Sequence, residues 1–320
     1  MNGWTHAATG ALVALVQVAV VVVGGPLLLG TMRKVRSRLE GRVGAPVYQP
    51  LLDLRKLFTK QRMRPREASW VFGAGPVVLV ATAIAVSAIS PLATTRPPLG
   101  QSTDFFAVIF VLLLGSVVLA LSALDTGTAF GGMGASRAMT IGALAEPALL
   151  VAILAMSIPS RTSNLPALVS VGLTHPAVLA TPARILALAS FLVIILAESG
   201  RLPVDNPNTH LELTMIHEAM VLEYSGPDLG LIILGESMRL VFLLGLLVNL
   251  LVPWGVASRP GALAFVVGMI ALVAKVAVTG VAIAIFEVFT AKMRLFRLPE
   301  LLAGGFVLAL LGAVTAVVAR

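Results

Sequence analysis

Residues 10 to 31 have the sequence GALVALVQVAVVVVGGPLLLGT, an apolar stretch without a charged side chain. A helix needs about 20 such residues to cross the hydrocarbon core of a bilayer. Arg33 and Lys34 follow immediately and begin a strongly basic segment. An apolar run that ends in a cluster of cations is typical of a membrane span that stops at a cytoplasmic loop. This stretch therefore predicts an integral membrane protein.

The composition of the whole chain supports this prediction. Of the 320 residues, 58% are apolar and 12% are charged, whereas about 25% are charged in ordinary soluble domains. These values exclude a disordered, collagen-like or nucleic-acid-binding chain. The chain contains no cysteine, on which iron–sulfur clusters, structural zinc sites and disulfides usually depend. We therefore expect no cofactor on this chain and expect metal-based electron chemistry on partner subunits.

Seven further apolar runs of similar length follow the first. They are residues 70–92, 104–124, 139–158, 180–198, 229–252, 261–290 and 299–318. Backbone groups in hydrocarbon must be hydrogen-bonded within the segment, and runs of this length suit helices rather than the strands of a barrel. We predict an all-α integral membrane protein in which residues 1–320 form a single membrane domain, a bundle of eight transmembrane helices.

Two of the connecting loops are long and polar. The first, residues 32–69, holds eleven of the 23 Lys and Arg residues, and the second, residues 199–228, is rich in acidic side chains. The segments 91–98, 159–182 and 253–260 are short or proline-rich, and we expect them to be turns between helices. A partner would meet the membrane domain at the long loops. We therefore predict a basic docking loop at the first and an acidic loop at the second.

The distribution of basic residues predicts the orientation in the membrane. With the basic loop inside, the same side carries 16 of the Lys and Arg residues and the opposite side carries five. Because cytoplasmic loops are enriched in Lys and Arg, we expect a multi-pass protein of the inner (cytoplasmic) cell membrane, with both long loops cytoplasmic and both termini outside. The basic loop could also form an amphipathic helix whose cations meet lipid headgroups, and we expect both roles together.

Five acidic residues lie within or at the border of the predicted spans. They are Asp125, Glu146, Glu198, Glu236 and Glu287. A charge at the middle of a span costs about 2.5 to 3.5 kcal/mol, so we expect these side chains to face protein or water, where loss of solvation lets a carboxylate exchange protons near neutral pH. The alternative is a simple position at the membrane interface. That alternative is strongest for Asp125 and Glu198 and weakest for Glu146 and Glu236.

Two basic residues also lie within predicted spans. Glu236 and Arg239 are three residues apart, so they share a helix face and could form an ion pair. Lys275 is twelve residues before Glu287, which places the two side chains about 120° apart around the helix. Lys275 therefore needs a partner from a neighbouring element.

The densest group of polar residues is the segment 198–226, ESGRLPVDNPNTHLELTMIHEAMVLEYSG. Thr209 could begin a short amphipathic helix in which Glu212 and Glu223, eleven residues apart, share one face. This would place a row of acids at the mouth of the bundle. His217 and the residue after it resemble the start of a metalloprotease helix, but the second histidine of that motif would be residue 221, which is valine. We therefore expect no zinc site.

Several motifs resemble complex I membrane subunit 1, also called the H subunit of NADH:quinone oxidoreductase. The segments that carry the resemblance are Glu198-x-x-Arg201-x-Pro203-x-Asp205, Glu223-Tyr224-x-x-Gly, Gly41-Arg42-Val-Gly44, and Gln49-Pro50-Leu-Leu-Asp53-Leu-Arg-Lys56-Leu57. Arg137, nine residues before Glu146, matches the spacing of the family's Arg and Glu around its fourth helix. The resemblance covers essentially the whole chain.

Other segments resemble one branch of that family. Residues 204–220 (VDNPNTHLELTMIHEAM), 127–134 (GTAFGGMG) and 291–300 (AKMRLFRLPE) are similar to the formate hydrogenlyase subunit 4 branch, the membrane anchor of group 4 [NiFe]-hydrogenase complexes. Quinone reductases of the family usually carry Asp-Gln where this chain has Pro299-Glu300. The resemblance to the hydrogenase branch therefore argues against a quinone reductase.

The resemblance implies a role in a larger complex. In the family this subunit docks a hydrophilic redox module through its cytoplasmic loops and carries an acidic proton path towards antiporter-like subunits. The implied partners are [NiFe]-hydrogenase-like large and small subunits, an iron–sulfur subunit and antiporter-like membrane subunits, and the NiFe centre and iron–sulfur clusters are expected on those partners. The proton-path candidates are Glu146, Glu198, Glu212, Glu223, Glu236 and, from its place in the seventh span, Glu287. The candidates for loop shaping and docking are Arg42, Gln49, Asp53, Lys56, Arg137, Arg201 and Asp205.

Two other functions fit the same residues. A quinone could bind between the first helix and the long inner loops, as in an NADH:quinone oxidoreductase-type complex. A stand-alone cation or proton transporter would also use intramembrane acids and Lys275, but the sequence contains no inverted repeat or matched pair of interrupted helices. The membrane anchor and proton-coupling subunit of a hydrogenase-type complex is therefore our preferred function.

Overall fold

The computed structural model describes residues 3–97, 103–205, 215–259, 261–291, 293 and 297–319. Within these ranges the chain is almost entirely α-helical. The helices are α1 (Gly3–Leu39), α2 (Gln49–Thr59), α3 (Trp70–Ile89), α4 (Phe105–Leu124), α5 (Ala129–Ser160), α6 (Leu165–Thr174), α7 (Pro182–Glu198), α8 (His217–Val221), α9 (Gly226–Leu251), α10 (Ala262–Phe289) and α11 (Leu298–Val318).

Seven of the described helices are long and apolar enough to cross a membrane: α1, α3, α4, α5, α9, α10 and α11. The predicted fifth span corresponds to α7, which has 17 residues. A helix of that length measures about 26 Å, slightly less than the hydrocarbon thickness of about 30 Å. The prediction of an all-helical membrane protein is confirmed, whereas the count of eight spans is not confirmed.

Two long helices extend beyond the predicted spans at the end of the bundle that carries the basic loop. α1 continues from residue 31 to Leu39, and α5 begins at Ala129 rather than at 139. The start of α5 is fixed by Thr128, whose hydroxyl accepts a hydrogen bond from the Gly131 amide at 3.2 Å. A cap of this kind allows a glycine-containing segment to be helical before the apolar run begins.

The segment 159–182, predicted to be a turn, contains helix α6. The side chain of Asn164 caps its first turn by accepting a hydrogen bond from the Ala167 amide at 3.2 Å. Leu165, Leu168 and Val169 are buried against the bundle. An N-cap and an apolar face are sufficient for a short helix here, so the prediction of a turn was wrong.

The central helix of the bundle is α9. In its most apolar segment 72% of the residues are buried, compared with 28% in α1 and in α11. Fully buried aromatic side chains, including Phe191 and Phe242, fill the space around it. Polar side chains on α9 therefore face other helices rather than lipid.

Lys275 on α10 obtains its partners from the end of α9, as the sequence required. Its Nζ donates hydrogen bonds to Asn249 Oδ1 at 2.7 Å and to the carbonyls of Val252 and Trp254 at 3.0 and 3.2 Å. A cation at the C-terminus of a helix is favoured by the helix dipole and by the unpaired carbonyls there. Lys275 thus caps the C-terminal end of α9.

Asn249→Leu is expected to destabilise the bundle. The Asn249 side chain is fully buried, donates to the carbonyls of Pro91 and Leu92 at 3.0 and 2.7 Å, and accepts from Lys275. At about 0.6 to 1.7 kcal/mol for each hydrogen bond inside a membrane protein, the three bonds amount to about 2 to 5 kcal/mol. The measurement is the unfolding temperature of the purified protein in detergent.

The matched control for this prediction is Thr279→Ala on the same helix as Lys275. The Thr279 hydroxyl bonds only to the Lys275 carbonyl of its own helix, at 3.0 Å, so its loss is expected to change stability little. Equal unfolding temperatures for the Asn249 and Thr279 variants would contradict the prediction.

Candidate functional site

A cavity of about 910 Å³ lies inside the bundle and is lined by residues of α1, α3, α4, α5, α7, α8, α9 and α10. It extends outwards to Arg42 and Ala45 of the basic loop, which are exposed. The acidic residues in its wall are Glu40, Glu146, Glu198, Asp205, Glu218, Glu236 and Glu287, and the arginines are Arg33, Arg36, Arg42, Arg201 and Arg239. The remaining wall is largely apolar, so the charged groups lie in a partly desolvated space.

Four of the six proton-path candidates line this cavity: Glu146, Glu198, Glu236 and Glu287. Glu212 lies outside the described residues. Glu223 is exposed and is not part of the cavity wall. The structure therefore brings together acids from α5, α7, α9 and α10 that are distant in sequence, and it separates Glu223 from them.

Glu198 and Arg239 form a buried ion pair. An Nη of Arg239 donates to the Glu198 carboxylate, and the other donates to the Ser116 hydroxyl. Their side chains are only 10% and 12% exposed. An ion pair between Arg239 and Glu236, which their spacing allowed, is not formed among the described residues, because the long guanidinium reaches across to α7 and α4 instead of along its own helix.

Glu146 on α5 lines the same cavity as Glu198 and Arg239. It is close enough to Glu198 and Arg239 to interact electrostatically with both. Two carboxylates from different helices therefore face one arginine. This is the arrangement in which the protonation of one acid depends on the charge of the other.

Glu236 faces the acidic loop. Its Oε1 lies 3.9 Å from His217 Nδ1, and 41% of its side chain is accessible because it borders the cavity. Glu218 also interacts with it electrostatically. The sequence interpretation considered His217 only as a metal ligand and missed this neighbour, since the two residues are 19 positions apart and no helical or turn spacing links them.

Gly200 fixes the position of His217. Its φ of +57° lies in the left-handed region that favours glycine. An added Cβ at this position would lie 2.4 Å from the Cδ2 atom of His217. The end of α7 and the start of α8 therefore touch directly at this point.

Arg201 and Glu287 form a second ion pair at the cavity wall. The Arg201 Nη1 and Glu287 Oε1 atoms are 3.4 Å apart, and the Glu287 side chain is 4% exposed. Burial lowers the pKa of the Arg201 guanidinium, and the Glu287 charge partly opposes this shift. Arg33 and Arg36 add positive charge nearby. The region next to the basic loop is therefore positive, apart from this one compensated acid.

Asp205 and Arg137 hold the start of α8. An Asp205 oxygen accepts from the Ile216 amide at 3.2 Å, and Arg137 Nη1 donates to the Met215 carbonyl at 3.0 Å. Backbone groups bound in this way are not available for a helix, and α8 covers only His217–Val221. The prediction of one continuous helix from Thr209 to Glu223 was therefore wrong in the described part of this segment.

The basic loop is joined to the N-terminus of α9. Arg62 Nε donates to Asp228 Oδ2 at 2.5 Å, a second Arg62 nitrogen contacts the other oxygen, and Asp228 is fully buried. This hydrogen bonding raises the pKa of the Arg62 guanidinium. The Met63 amide also donates to Ser225 Oγ at 3.0 Å. The sequence interpretation missed this connection between the two long loops.

Four of the loop-shaping and docking candidates, Arg42, Gln49, Asp53 and Lys56, lie on or beside α2. Gln49 Nε2 donates to Asp53 Oδ1 at 2.9 Å within that helix. Pro50 and Leu54 are buried, whereas Lys56 on the opposite face is exposed. α2 thus presents a cationic face to the surroundings and an apolar face to the bundle.

Arg42 lies just before α2 and pairs with Glu40. Arg36 holds the same carboxylate at 2.9 Å. The hydrogen bond from Arg36 keeps the pKa of Glu40 below its usual value. The single acid at the rim of the cavity is therefore neutralised by two arginines.

Asp125 and Tyr224 have structural contacts. Asp125 Oδ2 accepts from the amides of Ser69 and Phe72 at 2.8 and 3.1 Å, which caps the N-terminus of α3. Tyr224 donates to the Phe72 carbonyl at 2.9 Å, and burial raises the pKa of its phenol to about 12. Asp125 therefore belongs to the helix end, as its interface alternative expected, and the tyrosine of the Glu-Tyr motif anchors the loop.

Comparison with known proteins places these features in a family. A model of the NADH dehydrogenase family matches residues 11–318. Formate hydrogenlyase subunit 4 of Escherichia coli (strain K12) is 30% identical over 301 residues, which cover 94% of this chain and 97% of that protein. Hydrogenase-4 component C of the same organism is 30% identical over 301 residues, covering 93% of each. The H subunit of the NADH-quinone oxidoreductase of Syntrophotalea carbinolica is 32% identical over 258 residues, covering 72% of this chain and 76% of that protein.

A solved structure has the same fold. The chain superposes with a TM-score of 0.81 and 21% identity on a chain of the membrane-bound sulfane sulfur reductase, an archaeal respiratory membrane complex. The match covers 96% of this chain and 99% of that one. The helices of the two chains are therefore arranged in the same way.

Proposed function

This chain belongs to the NADH dehydrogenase family, of the type found as membrane subunit 1 of complex I, and we propose that it is the membrane anchor and proton-coupling subunit of a formate hydrogenlyase-like complex. It is similar over nearly its whole length to membrane components named for formate hydrogenlyase and hydrogenase-4. In this proposal the chain docks a hydrophilic hydrogenase module and lies in the cytoplasmic membrane, with its two long loops in the cytoplasm and its termini outside.

One observation carries the proposal. Glu146, Glu198, Glu236 and Glu287 line one cavity that extends to the basic loop. Acids that only stabilised helix packing would be paired inside the bundle, whereas Glu236 is 41% accessible and Glu146 shares one arginine with Glu198. A partly desolvated cavity with several exchangeable carboxylates is suited to moving protons.

The proposed coupling uses the charges of this chain. A redox change in the docked module alters the potential beside Arg33, Arg36 and Arg201, which border the cavity near the basic loop. Carboxylates that interact electrostatically respond to such a change together. A proton can therefore enter at one acid, such as Glu236, and leave from another, such as Glu146. The NiFe centre and the iron–sulfur clusters belong to partner subunits in this proposal.

The basic loop would hold the redox module. Arg42, Lys56 and the other exposed cations of residues 33 to 66 form a positive surface that suits an acidic partner surface. A partner docked on this surface would lie above the cavity, since Arg42 lies in both the loop and the cavity wall. Antiporter-like subunits would contact the lipid-facing helices.

The proposal predicts what purifies with this chain. An affinity-tagged copy, extracted from native membranes in mild detergent, is expected to bring nickel and iron in stoichiometric amounts together with hydrogenase activity towards an artificial electron acceptor. Metal analysis and activity measurement on the purified complex provide the test. A complex that lacks nickel but contains a flavin and oxidises NADH would contradict the hydrogenase assignment.

The size of the cavity favours a second candidate function. A volume of about 910 Å³ with a largely apolar wall is within the range of sites for drug-sized organic ligands, so a quinone could bind beside Glu198 and Arg201. This would make the chain a quinone-binding subunit. Quinone-dependent turnover of the purified complex, sensitive to Met139→Trp in the cavity wall, would support this function over the first.

A further inference from the structure

Arg239 interacts with acids from three of the helices that line the cavity. It donates hydrogen bonds to Glu198 on α7 and to Ser116 on α4. It also interacts electrostatically with Glu146 on α5 and with Glu236 on its own helix. His217 and Glu218 of α8 interact with Glu236. One permanent positive charge therefore interacts with three carboxylates.

The charges in this group do not balance. A guanidinium stays protonated in proteins, so Arg239 always provides one positive charge. In a desolvated site a carboxylate without a counter-ion is costly, and the single positive charge of Arg239 can balance only one carboxylate charge. At most one of Glu146 and Glu198 can therefore be a well-compensated anion, and the other is best neutral.

The guanidinium has an unused donor. Its Nε is buried and has no hydrogen-bond partner within the described part of the chain. Ser116 holds one Nη while the other Nη is on Glu198. The Arg239 guanidinium can therefore rotate while one Nη stays hydrogen-bonded to Ser116.

We propose that Arg239 is a mobile counter-ion that passes between Glu198 and Glu146 and so sets which of the two acids holds the proton. This inference rests on the proposed proton-coupling function. When Glu198 is anionic, Arg239 pairs with it and Glu146 is the neutral acid. When the Glu146 proton moves to Glu198, the guanidinium turns to the new Glu146 carboxylate. One O–H bond breaks and one forms, and the net charge of the group is unchanged.

A static role makes different predictions. If Arg239 only fastened α7 to α9, its replacement would weaken assembly of the complex, and removal of the Glu198 charge as well would restore it. If Arg239 is mobile, its replacement removes the positive charge that stabilises the Glu198 carboxylate, so Glu198 keeps its proton. The loss is then in proton movement per electron transferred, and a lysine, which keeps the charge but not the two-pronged donor, recovers only part of it.

The test uses the whole complex in proteoliposomes and measures protons translocated per electron pair, together with the amount of redox module retained. Arg239→Gln is expected to lower this ratio about tenfold or more, and Arg239→Lys is expected to recover part of it with a shifted pH profile of translocation. The matched control is Arg184→Gln. Arg184 is also buried but donates only to the Leu250 carbonyl, at 2.6 and 3.2 Å, so its replacement should leave the ratio unchanged.

The outcomes separate the two proposals. A normal ratio of protons to electron pairs in Arg239→Gln overturns the mobile counter-ion. The same conclusion follows if Arg239→Gln loses the redox module and the double variant with Glu198→Gln regains it. An unchanged pH profile in Arg239→Lys overturns it as well, and this variant keeps the buried charge that folding requires. A normal ratio in Glu198→Gln measured in parallel would instead overturn the proton-coupling function itself.

Discussion

Glu198→Gln is expected to abolish proton translocation by the assembled complex while the redox module stays docked. Glutamine has nearly the same shape and can still accept a hydrogen bond from Arg239, which now contacts the Glu198 carboxylate, but it cannot carry a proton. Loss of a group that transfers protons lowers the rate of the step about 10²-fold or more. Glu146→Gln, in the wall of the same cavity, is expected to have the same effect.

The measurement is proton release against electron transfer in proteoliposomes that contain the purified complex. The control is Glu300→Gln, because Glu300 is an exposed acid on the first turn of α11 and does not line the cavity. It should translocate protons as the unmodified complex does. If the Glu146 and Glu198 variants both translocate normally, the cavity acids are not a proton path.

Reversal of the charges at Arg55 and Lys56 is expected to release the redox module from the membrane. Both side chains are exposed on α2, whose opposite face buries Pro50 and Leu54. Placing like charges against each other at an interface costs several kcal/mol, which corresponds to a loss of affinity of about 10²-fold or more. The release should be strongest at low salt, where charges are least screened.

The measurement is the fraction of hydrogenase activity that sediments with membranes carrying Arg55→Glu/Lys56→Glu. Arg259→Glu is the control, since Arg259 is an exposed cation after the far end of α9 and about 40 Å from the start of that helix. If the α2 variant retains the module but binds anionic lipid more weakly, α2 binds lipid headgroups and not the redox module.

The membrane fold could be predicted in detail from the sequence. The apolar runs at 70–92, 104–124 and 299–318 correspond to α3, α4 and α11 within a few residues. A span is defined by about 20 consecutive residues, so the local composition is sufficient to predict it. The predictions were less accurate where helices leave the membrane, as at the start of α5, because an N-cap such as Thr128 and contacts with other segments decide the boundary there.

The site was predicted in its residue types but not in its pairings. Glu146, Glu198, Glu236 and Glu287 were identified because a carboxylate in a span needs a reason to be there, and all four line one cavity. Helical spacing allowed a pair between Arg239 and Glu236, whereas the structure pairs Arg239 with Glu198. The contact between His217 and Glu236 could not be predicted, because no helical or turn spacing links residues 19 positions apart.

The sequence by itself determined that this is a helical membrane protein of the complex I membrane subunit 1 family with acids in its spans, because hydrophobicity and motif order are properties of consecutive residues. The tertiary structure alone decided which charges meet. Glu198, Ser116 and Arg239 come from three helices that are far apart along the chain. Their distances depend on how the helices pack, and electrostatic interactions in a desolvated site change steeply with distance and burial.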